Sequence, residues 1–293
     1  MSHPLLAVTE SESVQTFSRD TSIGRILLEM GKLSPEDAER VLRIQKELGM
    51  RFGEAAEYLG LITKADIQQV LARQFDYPYL QQSDNKFPLE LVAAYQPFSP
   101  QVETLRAIRS QLMLRWFAKQ RHALAIMSVN PGDGVSFFSA NLAIVFSQLG
   151  EHTLLVDANM RKPAQEKLFN LQSKLGLSDI LAGRAEMSEI SKIDSFVDLS
   201  VLVAGTPPPN PQELLSRESF TQLNSQLERN YDAVLYDVSA FSTGADALAV
   251  ASRVGGVLLV TRQDKTRVAD VNALCDQFIR NGVEVVGTVM VNF

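Results

Sequence analysis

The chain has 293 residues, enough for two domains. Its 45% hydrophobic and 21% charged content is that of an ordinary globular protein. A net charge of −6 argues against a general nucleic-acid surface, and the one cysteine, Cys275, excludes a disulfide framework and fits a reducing compartment.

Met1 to Asp20 is polar, with no cluster of positive charge ahead of an apolar core. It is expected to be a disordered arm (residues 1–20) rather than a signal peptide. No apolar run approaches the about 18–20 residues that span a bilayer, so a cytoplasmic location is expected. His3, His122 and His152 show no metal-ligand spacing.

Residues 21–80 carry an internal repeat of period 29: Ile23-Gly24 returns as Phe52-Gly53, Leu33-Ser34 as Ile62-Thr63, and Val41-Leu42 as Val70-Leu71. Each copy predicts a short helix, a glycine stop, a Ser or Thr cap and a second helix. Pro35 stands at a first helical position, where its missing N–H costs nothing. Four such helices make a small all-α bundle. Residues 81–98 are polar and bear prolines, which predicts a linker. Ser99-Pro100 then opens a helix to about Lys119, with Glu103, Arg106 and Arg109 on one face by their spacing of three. On the residues alone this is a solvated charged face.

Leu124 to Val129 is an apolar run of strand length, and Phe138 to Leu149 has helical length and closes on Gly150. Between them lies a tight turn on Pro131, Gly132 and Gly134. A strand, a glycine turn and a helix N-terminus make an anion site, because backbone N–H groups and the helix dipole both face the ligand. A phosphate-binding P-loop normally ends Gly-Lys-Ser/Thr. Here it reads Gly134-Val135-Ser136, and Val129 replaces the first small residue of the pattern. The shape is kept and the charge is gone.

Thr153–Asp157 predicts a second strand, Ser200–Ala204 a third, Tyr231–Asp237 a fourth, Gly256–Thr261 a fifth and Val283–Asn292 a sixth. Near-continuous apolar strands alternating with helices predict an α/β fold: a mostly parallel P-loop sheet covered by helices on both faces, over residues 99–293. Ligands in such sheets bind beyond the carboxyl ends of the strands, where the glycine turn, Asp157, Asp237 and Asn292 all fall. Two acids and a P-loop-shaped turn at the ends of such strands point to a nucleotide and Mg²⁺.

The N-terminal repeat resembles the N-terminal domain of type II secretion and type IV pilus ATPases. Some members of that family bind cyclic di-GMP through paired Arg-Leu-Gly-type turns. Arg51-Phe52-Gly53-Glu54 partly fits, which makes Arg51 and Gly53 the candidates; Ser22-Ile23-Gly24-Arg25 lacks the arginine at that place. A protein-docking bundle is the alternative.

From about Pro97 onward the chain resembles the bacterial tyrosine kinases of exopolysaccharide and capsule export, relatives of the deviant-Walker ATPases. With the bundle included it is similar to the chain-length-determinant subgroup. The motifs that carry this are Pro131-Gly-Asp-Gly-Val-Ser136, Leu154-Leu-Val-Asp157-Ala-Asn159-Met-Arg161-Lys-Pro163, Val234-Leu-Tyr-Asp237, Ala204-Gly-Thr-Pro-Pro-Pro-Asn-Pro-Gln-Glu-Leu-Leu215 and Glu103-x-x-Arg106-x-x-Arg109. The resemblance implies ATP or ADP held by Pro131, Gly132, Asp133, Gly134, Val135, Ser136 and Phe137, with Asn292 at the adenine. It implies Mg²⁺ held through Ser136, Asp157 and Asp237, with Asp157, Asn159 and Asp237 in the catalytic places. It implies a homo-oligomeric ring through Glu103, Arg106 and Arg109. It also implies a membrane chain-length regulator, a polysaccharide co-polymerase, as the partner that holds the chain peripheral to the inner membrane.

The sequence departs from that pattern at four places. Val135 replaces the Walker lysine, and Asn159 replaces the second acid of the family-specific motif. Val238-Ser-Ala follows Walker B where the family has Thr-Pro-Pro. The last tyrosine is Tyr236, so a C-terminal tyrosine cluster is not expected. Phosphoryl transfer rests on positioning and charge neutralisation, and losing one transition-state donor costs on the order of 10²–10³ in rate. Arg161, Lys162, Arg262 and Arg267 are the candidate replacement cations. Two readings stand: a regulatory protein with degenerate catalysis, or an active Mg-ATP-dependent tyrosine autokinase using a substitute cation.

Overall fold

The computed structural model describes residues 23–74, 79–80 and 84–292. The arm expected over residues 1–20 lies outside the described residues. The chain divides into two compact units, at 77/78.

The first unit holds α1 (Ile23–Glu29), α2 (Pro35–Leu48), α3 (Phe52–Tyr58) and α4 (Lys64–Gln74). α3 and α4 start 29 residues after α1 and α2. The core obeys the same period: Ile26, Leu27, Leu33 and Val41 are buried, and so are Ala55, Ala56, Ile62 and Val70 at the equivalent places. The caps repeat too. Ser34 Oγ accepts from the Asp37 N–H at 3.1 Å and donates to the Asp37 carboxylate at 2.7 Å. Thr63 Oγ1 does the same with Asp66 at 3.2 and 2.6 Å. A hydroxyl that satisfies an orphan N–H and is itself fixed by an acid three residues on defines where each second helix begins.

The second unit opens with α5 (Val92–Tyr95) and α6 (Pro100–Arg115). It continues through β1 (Ala123–Ser128), α7 (Val135–Ser147), β2 (Thr153–Asp157), α8 (Gln165–Leu168), α9 (Leu177–Leu181), β3 (Ser191–Lys192) and β4 (Leu199–Leu202). Then come α10 (Pro211–Leu215), α11 (Glu218–Asn230), β5 (Ala233–Asp237), α12 (Asp246–Val254), β6 (Gly256–Arg262), α13 (Val268–Arg280) and β7 (Glu284–Val291). The seven strands form one sheet in the order β3-β4-β2-β5-β1-β6-β7, parallel except for the β3–β4 pair. Successive strand residues point to opposite faces. Leu124 and Ile126 therefore join a core under α5, α6 and α7, while Ala123, Ala125 and Met127 join one under α10 to α13. With both faces covered, β1, β2, β4 and β5 are buried throughout, which explains their unbroken apolar runs.

The expected linker is corrected by the structure. Phe87, Leu91, Ala93, Ala94 and Tyr95 are buried in the core under α6 and α7. Tyr95 Oη accepts from the Phe87 N–H at 2.7 Å and donates to the Phe87 carbonyl at 2.8 Å. Asn141 of α7 accepts from the Ala93 N–H at 2.9 Å and donates to the Glu90 carbonyl at 3.0 Å. Residues 84–98 thus belong to the P-loop unit. Their apolar residues are spaced by polar and proline residues because the segment wraps α7 rather than building a long regular element.

One close approach fixes the bottom of the sheet. Trp116, fully buried after α6, donates its indole N–H to the Ala123 carbonyl at 2.8 Å and lies on Gly256, where an added Cβ would come within 2.1 Å of the ring. Only glycine leaves room for the indole there.

Candidate functional site

The site is built from the carboxyl ends of β1, β2, β5 and β6. After Ser128 the chain turns through Asn130–Gly134 into α7. Gly132 has φ +86° and Gly134 φ +82°, both in the left-handed region that glycine enters without strain. α7 makes its first backbone bond from the Phe138 N–H to the Gly134 carbonyl, so the N–H groups of residues 135–137 have no acceptor within the helix. They and the glycine turn form an anion cradle at a helix N-terminus.

Val135, at the lysine position, is nine-tenths buried and belongs to the core beneath the loop. Phe137 is 42% exposed. Asp133 is buried, and its carboxylate turns away from the cradle: it accepts from Thr266 Oγ1 at 3.1 Å and from the Asn130 N–H at 3.4 Å.

Asp157 and Asp237 end neighbouring strands in direct register and are both fully buried. Their surroundings differ. Asp157 Oδ1 accepts from the Asn159 N–H at 3.1 Å, and Oδ2 from the Ala164 and Gln165 N–H groups at 2.8 and 3.0 Å. Asp237 Oδ2 accepts from the Gln165 side-chain amide at 2.7 Å, while Oδ1 is buried without a partner among the described residues. Burial, and then the neighbouring Asp237 charge, push the Asp157 carboxyl up, against three backbone N–H bonds that pull it down. Burial also raises Asp237, moderated by hydrogen bonds from Gln165 and Ser136.

Gln165 is the residue that the sequence did not single out. Its fully buried amide donates both to Asp237 and, at 3.1 Å, to the Ser136 carbonyl, while its own N–H caps Asp157. It therefore ties the P-loop helix to both acids. The only signal for it is a lone amide in the turn after Pro163, eight residues beyond Asp157.

The remaining candidates are dispersed. Asn159 accepts from the Lys162 N–H at 3.2 Å and closes the turn after β2. Arg161 is clamped by the buried Asp246 through two bonds of 2.6 and 3.0 Å, and Lys162 and Arg267 are exposed. Arg262 extends from the end of β6 to the Gly132 carbonyl at 3.2 Å. Asn292 is exposed just beyond β7, at the same edge of the sheet. On α6, Arg106 pairs with Glu103 of its own helix, and Arg109 donates to the Val145 carbonyl of α7 at 2.6 Å. In the bundle the Arg51 N–H donates to the Glu54 carboxylate, and Gly53 is buried with its Cα side facing Ile67.

The donor set fits a hydrated divalent cation of the P-loop kind. A buried carboxylate oxygen without a partner, Asp237 Oδ1, stands with Ser136 beside the cradle. Among the described residues no group of three or more His, Cys, Asp or Glu is placed to hold a metal. Mg²⁺ bound through one or two protein oxygens, with phosphate and water completing the shell, needs none. Asp157 accepts three backbone N–H bonds, one on Oδ1 and two on Oδ2, so its carboxylate also orders the turn after β2.

No family model matches the chain. Among individual proteins, CapB of Staphylococcus aureus, named as a tyrosine-protein kinase, is 32% identical over 195 residues, covering 67% of this chain and 86% of CapB. A protein of the Klebsiella pneumoniae cps region, also named a tyrosine-protein kinase, is 29% identical over 266 residues, covering 91% of this chain but 35% of its own length. The chain thus spans about a third of that longer relative. Among solved structures, the kinase domain of the Escherichia coli tyrosine kinase ETK superposes with a TM-score of 0.67 at 28% identity, covering 73% of this chain and 88% of that domain. The sheet order, the glycine turn and these likenesses agree, and the chain belongs to the bacterial tyrosine-protein kinases of the P-loop ATPase class.

Proposed function

We propose that this chain is a nucleotide-binding member of the family with weakened phosphotransfer, which regulates exopolysaccharide polymerisation and export through a membrane chain-length regulator. The observation that carries this reading is Val135. Its side chain packs into the core below the cradle, so the position that should present an ammonium group to the phosphates presents none. The glycine turn, the N–H groups of α7 and the bare oxygen of Asp237 persist around it.

Mg-ATP, when bound, supplies a transferable phosphoryl group with part of its charge neutralised by the metal. Ser136 and Asp237 would hold the metal. Gln165 fixes Asp237, and Asp157 anchors the turn that carries Gln165. Among the described residues no helix is long and apolar enough to cross a membrane. The Klebsiella relative's naming by the cps region supports placing the chain in polysaccharide production.

Labelled ATP with Mg²⁺ tests the reading. Slow or undetectable phosphotyrosine, with measurable ADP binding in calorimetry, is expected. Robust phosphotyrosine that disappears with Asp237→Asn would support the active autokinase instead. In that case Tyr58, 67% exposed, is the acceptor to check first, because Tyr236 is fully buried and donates to Asn224 at 2.7 Å. The expected roles of Glu103, Arg106 and Arg109 in a ring, and of Arg51 and Gly53 toward cyclic di-GMP, join the proposal at lower resolution. Sedimentation of Glu103→Arg and calorimetry with cyclic di-GMP test them.

A further inference from the structure

The cradle has lost the cation of its own loop, yet a neighbouring strand carries one to it. β6 pairs with β1 so that Val260 lies level with Ser128. Two residues further along, at about 3.3 Å per residue, Arg262 reaches the level of the glycine turn. Its Nη1 donates to the Gly132 carbonyl at 3.2 Å.

The segment that carries Arg262 is also stapled to the turn. Thr266 Oγ1 accepts from the Arg262 N–H at 2.8 Å and donates to Asp133 Oδ2 at 3.1 Å. Asp133 in turn accepts from the Asn130 N–H, within the turn itself. One carboxylate and one hydroxyl thus hold the end of β6 in register with the loop. The other candidates are placed less well. Arg161 is committed to Asp246, and Lys162 and Arg267 are exposed on turns without a hydrogen bond to the loop in the described structure.

We propose that Arg262 is the positioning residue that supplies positive charge to the nucleotide phosphates in place of the Walker lysine. This rests on the nucleotide-binding reading above and deepens it. A guanidinium is always charged and grips phosphate with a planar fork of N–H donors. It approaches from the rim of the loop rather than from the first turn of α7. Charge delivered from the rim holds the diphosphate but is not aimed where a lysine at position 135 would act, so affinity persists while transfer stays slow. The unusual residue at position 135 and the contact of Arg262 with the loop then have one explanation.

Calorimetry on the full chain tests this with Mg-ADP and with adenosine as probes. Arg262→Ala is expected to weaken ADP binding by about tenfold to hundredfold, the range of a charge-assisted hydrogen bond, and to leave adenosine binding unchanged. Arg262→Lys should recover part of the loss. Val135→Lys in the Arg262→Ala background should recover it as well, by restoring the cation at its usual place. Equal ADP affinity in wild type and Arg262→Ala overturns the proposal and leaves nucleotide binding standing. Parallel loss of ADP and adenosine also overturns it, since a merely structural contact would act on both. If wild type binds neither, the nucleotide-binding reading itself falls. Thr266→Val, which cuts the staple but keeps the charge, provides a second variant should Arg262→Ala not fold; it should weaken ADP but not adenosine, and an unchanged ADP affinity there counts against the staple.

Discussion

Replacing Gln165 with leucine removes the side chain that joins the P-loop helix to Asp237, while its backbone N–H, which caps Asp157, stays. Leucine has a similar volume, so the change deletes polarity more than packing. Two donated bonds are lost, one to the Asp237 carboxylate at 2.7 Å and one to the Ser136 carbonyl at 3.1 Å. A bond to a charged group is worth about 1.5–3 kcal/mol and a neutral one about 0.5–1.5 kcal/mol. Gln165 Oε1, buried without a partner among the described residues, is removed at the same time and returns part of that cost. The net loss is about 1.5–3 kcal/mol, or a fall in Tm of roughly 3–12 °C for a unit of this size. The pH dependence is the sharper signature. Asp237 is already raised by burial and loses a hydrogen bond that lowers it, so its carboxyl rises further. A folded state that holds its proton to higher pH than the unfolded chain loses stability as pH rises between the two pKa values. Differential scanning fluorimetry from pH 5 to pH 8 should therefore show the variant falling away from wild type as pH increases. A constant offset across that range, or none, would refute the role given to Gln165.

Other outcomes follow from the same geometry. Gly256→Ala places a Cβ within 2.1 Å of the Trp116 ring and should cost at least about 1–3 kcal/mol by overpacking, seen as a lower urea midpoint with ADP affinity per folded molecule unchanged. Asp179 is pushed up by burial but held down to about 2 by bonds from Thr206, Arg184 and Gly176. Its contribution is full above the unfolded carboxylate value near 4 and is lost as pH falls toward 2, so Asp179→Asn should flatten the acid limb of the urea-midpoint profile between those values. In the bundle, Leu33→Ala and Ile62→Ala remove equivalent core residues of the two repeats and should each cost about 2–5 kcal/mol by circular-dichroism melting of the full chain, the two agreeing within a factor of two.

The sheet was legible because its central strands are buried on both faces and so read as unbroken apolar runs ending in Asp157 and Asp237. The repeat was legible because a 29-residue period preserves caps and core together: Leu33 with Ile62, Ser34 with Thr63. β3 was not, since two residues, Ser191 and Lys192, pairing at an edge leave no periodicity to read. The segment from residue 84 to 98 was hidden by its composition: a stretch that wraps a helix buries Phe87, Leu91 and Tyr95 at irregular intervals, which mimics a linker. At the site, strand ends could be placed from sequence, but side-chain direction could not. The sequence did not show that Asp157 accepts three backbone N–H bonds of the turn after β2, or that Arg109 donates to the α7 backbone. Gln165 acquires its role only because the turn after Pro163 folds it under the P-loop helix.

Single-turnover transfer from Mg-ATP, wild type against Val135→Lys at saturating nucleotide, bears on the whole account. With an ammonium group restored at the head of α7, phosphotransfer should rise on the order of 10²–10³. Wild-type transfer that is already fast, or a lysine variant that folds, binds ADP more tightly and transfers no faster, would contradict it.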